Sequence, residues 1–268
     1  MMESSNSPPE LPAEVRERTL ARFAEHRRAW NGNPALRTCY ARWYGMVRAA
    51  LPARDLGAQI ELGSGPGFAA EFIPDLMLTD IVQAPWHARR VAAEALPFAD
   101  GEIGALVLFD VLHHVATPAA FFAEATRVLR PGGRILLLEP YISPISYLVY
   151  HFFHPELVDM KVDPLAVRGV GGASAGEPAK DPFLSNQAVP TLIFCRGRGR
   201  EFTRRFPELA VSSVARLAGL AYPATGGLSR GAFLPLLLWK ALFALEQLLP
   251  ESSFRLFGFR LFVVIERR

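Results

Sequence analysis

Short, mostly apolar runs at residues 58–62, 76–79, 104–109, 134–138, 210–216 and 261–265 alternate along the chain with longer helical or irregular stretches. The run at 104–109 is continuously apolar, as expected of a strand covered on both faces, and 134–138 reads as a second buried strand. Helical periodicity extends from about residue 13 to residue 50, broken at Asn31-Gly32-Asn33-Pro34. A further helix spans 121–129, with Thr117 as its N-cap and Pro118 in its first turn, and ends at Arg130-Pro131-Gly132-Gly133. Residues 145–153 predict an aromatic helix, and 187–206 a helix interrupted near Gly197 and Gly199. The stretch 233–249 is almost wholly apolar, with Lys240 and Glu246 its only charges. Such a helix is either buried against a sheet or laid on lipid, and burial is the expectation. Strand and helix alternation of this kind predicts an α/β fold.

The stretch that organises the chain is Ala-Gln-Ile-Glu-Leu-Gly-Ser-Gly-Pro-Gly-Phe at 58–68. A short strand ends in Glu61, glycines follow at 63, 65 and 67, and a helical segment begins at Phe68. Glycine lets the backbone turn sharply and lets a ligand lie against it. The amides at the start of the next helix then face that ligand, and they suit a carboxylate and a phosphate equally well. A dinucleotide fingerprint counted from Gly63 needs a small residue at 68, where the chain has Phe68, so nicotinamide-dependent chemistry is disfavoured.

Bulk composition narrows the class. With 268 residues, one decorated α/β core fits better than two full domains. Half the residues are hydrophobic and 21% charged, enough for a sizeable core. A net charge of +3 is too small to argue for nucleic acid. Cys39 and Cys195 lie far apart without metal spacing, which points to a reducing compartment and excludes a disulfide scaffold. The polar, proline-rich residues 1–12 read as a loose tail and not a secretion signal, so a cytoplasmic location is expected.

Beyond the glycine turn, one order of features is more specific: a strand, Asp110-Val111-Leu112-His113-His114, a helix, Arg127-Val128-Leu129-Arg130-Pro131-Gly132-Gly133, a strand, then Glu139-Pro140. With Glu-x-Gly-x-Gly-x-Gly at 61–67, residues 58–140 resemble the class I S-adenosylmethionine (SAM)-dependent methyltransferases of the small-molecule type. The resemblance implies a Rossmann-like, seven-stranded, mostly parallel sheet whose last strand runs antiparallel, with N-terminal helices and an inserted cap after strand five. It implies SAM as cofactor, held by Glu61, Gly63, Ser64, Gly65, Gly67, Phe68, Asp80, Ile81, Ala93, Glu94, Asp110 and Val111. Asp80, at the end of the second strand, would take the two ribose hydroxyls, since a carboxylate accepts two hydrogen bonds from a vicinal diol. The segment 91–100 resembles the family's adenine-covering loop but has Ala92 where an aspartate is usual, leaving the adenine to backbone, water or Glu94.

The expected organisation is a tail with helices at 1–55, a SAM-binding core at 56–140, a substrate cap at 141–190 and completion of the core at 191–268. Methyl transfer needs an aligned acceptor and, for some acceptors, a base. The candidates are His114 at the end of strand four, His151 and His154 on one helix face of the cap, and Tyr141 after strand five. For each histidine a packing or shelf role competes with the catalytic one. Asp110, His151, His154 and Glu156 lack the spacing of a defined metal site, and no metal is assigned. Tyr40, Trp43 and Tyr44 are expected to pack their helix onto the core, with a place beside the cofactor as the alternative. The arginines from 196 to 205 are either a solvated face or an attraction for an anionic substrate or membrane. The functional expectation is methyl transfer to a small acceptor, hydrophobic or lipid-linked, with peripheral membrane contact open and no preferred oligomeric state. The alternative is a SAM-binding protein of the same fold that acts without methyl transfer.

Overall fold

The structure is a computed structural model and describes residues 10–153, 156–166 and 183–268. Residues 1–9 of the expected tail at 1–12, His154 and the glycine-rich stretch 169–176 lie outside the described residues.

Seven strands form one sheet: β1 (Ala58–Leu62), β2 (Met77–Asp80), β3 (Arg89–Arg90), β4 (Ile103–Phe109), β5 (Leu129–Pro140), β6 (Leu209–Leu217) and β7 (Arg260–Arg267). Their order is β3-β2-β1-β4-β5-β7-β6. Pairs from β3 through β5 are parallel, and β7 runs antiparallel to both β5 and β6. The carboxyl ends of β1, β2, β4, β5 and β6 and the first residue of β7 therefore share one edge. The strand order reverses between β1 and β4, which is where an open α/β sheet holds its ligand. Every residue of β4 is buried, as its unbroken apolar sequence requires. Strand β5 starts at Leu129 and not at 134, because the Arg-Pro-Gly-Gly turn is absorbed into the ladder as a register shift against β4.

Eight α-helices are described: α1 (Ala13–Gly32), α2 (Pro34–Ala50), α3 (Pro118–Val128), α4 (Pro144–Phe153), α5 (Val189–Phe194), α6 (Gly199–Arg205), α7 (Leu236–Gln247) and α8 (Phe254–Phe257). Phe121, Phe122, Ile193 and Phe202 of α3, α5 and α6 cover one face of the sheet with Ile60, Leu106 and Leu137. On the other face, α2 packs on Val107, Leu136 and Phe262. Only a 3₁₀ turn, Phe68–Glu71, follows β1, and no helix separates β2 from β3 or β3 from β4. The N-terminal pair fills that space: Trp30 stacks on Phe68 with ring centroids 4.2 Å apart, and Tyr44 on Phe72 at 5.2 Å. Tyr40, Trp43 and Tyr44 are all buried, as expected. The break between α1 and α2 is held by Asn33, whose side chain accepts the Leu36 amide and donates to the carbonyl of Thr225.

Two expectations change, at Thr117 and at α7. Thr117 stands at the N-cap of α3 but makes no cap bond; Glu94 accepts the Ala116 and Thr117 amides instead. Helix α7 is not buried: of its twelve residues only Trp239 and Glu246 are enclosed. In the expected cap, α4 packs by Tyr150 against Phe259 beside the start of β7, while Tyr147, Leu148 and Phe152 remain exposed.

Candidate active site

At the end of β1, Gly63, Gly65 and Gly67 have φ of 65°, 49° and 79°, the left-handed region that disfavours side chains. A Cβ on Gly63 would also stand 2.6 Å from Val111, so the turn sits directly against the segment after β4. Ser64 ties this turn to the second strand: its amide donates to Thr79 O and its hydroxyl accepts the Thr79 amide. Asp80 is buried and accepts the Gly65 amide at 2.9 Å on one oxygen and the Val82 amide at 2.9 Å on the other. Burial raises its pKa, against the pull of those amides.

Glu61 is buried beneath the turn. Tyr44 Oη donates to its Oε1 at 3.0 Å, and its Oε2 has no partner among the described residues. Burial pushes its pKa up to about 7. Above the turn lie Phe23 of α1, Trp86 and His87. Trp86 Nε1 donates to Gly65 O at 2.8 Å, and His87 Nε2 contacts the same carbonyl at 2.8 Å. Arg27 donates to Pro66 O and lies over the Trp86 ring.

A second constellation follows β4. Asp110, with φ of 59°, meets Arg260 at the start of β7 in a bidentate pair of 2.6 and 2.7 Å. Arg260 is buried, and its guanidinium lies 5.1 Å from the Trp43 ring and 5.3 Å from Tyr222. Next to it, Glu139 accepts the Val111 and Leu112 amides and contacts His113 Nδ1 at 2.6 Å. Glu156 stands 3.5 Å from His113 Nε2 and accepts from Ser185 and Gln187. Burial alone would lower the His113 pKa, but the two carboxylates outweigh it and raise it to about 10. His113 is thus an imidazolium held between two acids. Two triads, His113–His114–Glu156 and Asp110–His113–Glu139, bring potential ligand atoms within 4.8 Å of one another. In both, the carboxylates already accept from amides, side chains or the imidazolium, which is the arrangement of an ion-pair network.

Compared with known proteins, residues 60–137 match the family described as methyltransferase domain, Methyltransf_11. Over this stretch the chain is similar to a methyltransferase domain. It is 56% identical over 170 residues to a 37.1 kDa protein in transposon TN4556 of Streptomyces fradiae, an alignment covering 54% of this chain and 47% of that one. It is 42% identical over 65 residues to the ubiquinone/menaquinone biosynthesis C-methyltransferase UbiE of Klebsiella pneumoniae, covering 22% of this chain and 26% of the relative. The chain thus spans less than half the length of these curated relatives. A solved structure of a methyltransferase with its Trm112 activator from Haloferax volcanii superposes with a TM-score of 0.49 and 14% identity, over 94% of this chain and 97% of that one.

In a class I methyltransferase domain the cofactor is SAM, and the residues at the β1 and β2 ends fit it. The amine of its amino-acid part suits the open oxygen of Glu61. The glycine backbone leaves room for the chain between amine and nucleoside. Each Asp80 oxygen keeps a lone pair for a ribose hydroxyl after taking one amide.

The other sequence-selected residues are distributed unevenly around this site. Phe68 turns away from the glycine turn into the aromatic stack under α1 and α2. Ile81 is half-buried beside Phe23, Val82 and Ala84, and Ala93 packs on the α3 side of the core. Glu94 is engaged as the cap of α3, and Asp110 by Arg260. Val111 lies against Gly63. His114 is half-buried, its ring 4.2 Å from His113. Tyr141 is buried in the α3 side of the core, with the Arg216 guanidinium 5.5 Å from its ring. His151 is exposed and stacked on Tyr147. The structure does not bring Tyr141 and His151 together with the Asp110 turn.

Arg260 and Glu139 were not anticipated as site residues, and Glu156 was weighed only as a metal ligand. Arg260 had a sequence signal: it is the one charge opening an otherwise apolar strand, Arg-Leu-Phe-Val-Val-Ile. A buried arginine requires an acid.

Proposed function

We propose that this chain is a SAM-dependent methyltransferase acting on a small, largely apolar acceptor. The observation that carries the reading is the left-handed glycine turn, with Glu61 below it open on one oxygen and Asp80 beside it. When bound, SAM supplies a methyl group already activated for in-line displacement. The protein then has to bind the cofactor's charged end, orient the acceptor and exclude water. Glu61 supplies the negative charge for the amine. The rigid Asp110–Arg260 pair and the Glu139–His113 clasp fix the β4 and β5 ends across which an acceptor would lie. Where the acceptor carries a proton, His114, in the turn that follows Asp110, is the candidate to take it.

An apolar acceptor is supported by a cavity of about 230 Å³ between α2, β6 and α7, lined by Trp43, Met46, Leu217, Tyr222, Phe243 and Leu249 among others. It ends one aromatic layer from the Asp110–Arg260 pair, since Trp43 and Tyr222 border both. The UbiE relative is named for ubiquinone/menaquinone biosynthesis, a route to apolar products.

Calorimetry with SAM and S-adenosylhomocysteine tests the cofactor. Wild type is expected to bind both. Gly65→Val, which forces a β-branched residue to φ of 49°, is expected to lose binding while its circular dichroism shows a folded chain. Absence of binding by wild type would overturn the reading. Mass spectrometry of apolar phenols and quinols then tests transfer: a gain of one methyl supports it, and binding with no mass change would favour a role without transfer.

A further inference from the structure

Helix α7 presents two different apolar sides. Its inner side, with Phe243 and Glu246, lines the cavity, joined by Leu249 just beyond the helix end. Its outer side is solvent-facing, with Leu237 80% and Leu248 81% exposed and Leu238 and Leu245 about 60%. At 100° per residue, Leu237, Ala241, Ala244, Leu245 and Leu248 fall on one stripe directly opposite Trp239 and Glu246. Phe233 before the helix and Leu256 after it extend the exposed apolar surface. Solitary exposed leucines need no explanation, but a whole apolar helix face does.

We infer that the outward face of α7 docks on an anionic membrane surface. The charges around it decide the occupant. Between residues 228 and 258 the cations Arg230 and Lys240 are exposed and make no ion pair among the described residues, while exposed Arg255 lies close enough to Glu251 to help lower its pKa. The two acids of the same stretch are withdrawn: Glu246 is buried on the Gly219 and Ala221 amides, and Glu251 is paired with Arg216. An apolar stripe flanked by unneutralised cations matches the interfacial region of an anionic bilayer. A second copy would bring the same cations against each other. The area also argues against a dimer. A twelve-residue helix is about 18 Å long and about 10 Å wide. Its outer face thus offers on the order of 200 Å², against ~800 Å² per partner in a stable interface. Peripheral insertion needs no more than a few leucines at the headgroup boundary, and no described helix is long and apolar enough to cross a membrane.

The proposal is independent of transfer chemistry. Sedimentation of the full chain with phosphatidylcholine vesicles, with and without phosphatidylglycerol, tests it. Wild type is expected to pellet with the phosphatidylglycerol vesicles, less so at high salt. Leu237→Glu and Leu248→Glu are each expected to weaken partitioning about tenfold, the low end for exposing a leucine. Lys240→Glu, which leaves every leucine in place, should lower binding to the anionic vesicles alone. SAM calorimetry on the same samples is expected to be unchanged, so a failure here is separable from a failure of the cofactor reading. Wild type remaining in the supernatant with both vesicles would overturn the proposal. So would unaltered pelleting of the leucine variants, or a wild-type dimer in analytical ultracentrifugation that those variants dissociate.

Discussion

Helices α2 and α7 lie on the same face of the sheet and are both rich in apolar residues, yet they are used in opposite ways. In α2, seven side chains are buried, among them Tyr40, Trp43 and Tyr44. In α7, only Trp239 and Glu246 are. The difference is one of position. Helix α2 covers the middle of the sheet, where β4 and β5 present Phe109, Val107 and Leu136 to it. Helix α7 follows edge strand β6 and touches the body mainly through Trp239, whose Nε1 donates to Ala221 O, and through the cavity wall. Apolar composition therefore set helix formation in both, and the neighbouring surface set what each buries. The inner helix holds the fold and the cofactor turn together; the outer one is left to engage something else.

The contrast is sharpest in stability. Trp43→Ala empties a site that is 2% exposed and wedged among Phe109, Tyr222 and Arg260, so a loss of about 3–5 kcal/mol in denaturant unfolding is expected. Leu237→Asp in α7 should change stability by no more than about 0.5 kcal/mol in the same measurement. Equal losses in the two would remove the distinction.

The ion pair beside α2 comes next. Arg260 lies beneath Trp43, and Arg260→Met strands Asp110. Because Asp110 keeps some contact with water, about 3 kcal/mol is expected, the low end for breaking such a pair. The double variant with Asp110→Asn should recover part of this. A cycle with no coupling would show that the pair is not what fixes the β4 end.

A pH dependence at the α2 side is the last test. Glu61 has a pKa raised to about 7 from an ordinary 4.5, so the folded chain holds a proton there that the unfolded chain releases. Stability is therefore expected to fall as pH rises from about 4.5 to about 7. On the proposed reading, binding of the SAM amine would run the other way, because it would need the ionised carboxylate. Affinity should rise about tenfold between roughly pH 6 and 8, and Glu61→Gln should flatten both trends.

Much of this was readable along the chain. The strands, the break at Asn33-Pro34 and the glycine turn depend on local backbone rules and on apolar periodicity, which are properties of neighbouring residues. Glu61, Gly63, Gly65, Gly67 and Asp80 converge because two adjacent parallel strands end at one edge, and that follows once the strand order is known. Glu94 was less legible: as an acid in an irregular loop it suited an adenine amine as well as the amides of α3.

The sequence by itself determined the parallel core, the cofactor turn and the helical state of α2 and α7, since these rest on contacts within a few residues or on repeating patterns. Only the tertiary structure decided that Asp110 is answered by an arginine 150 residues away, that His113 is clasped by Glu139 and Glu156, and that α7 turns its leucines outward. Those outcomes depend on which surfaces meet when distant segments fold together, and no local pattern records that.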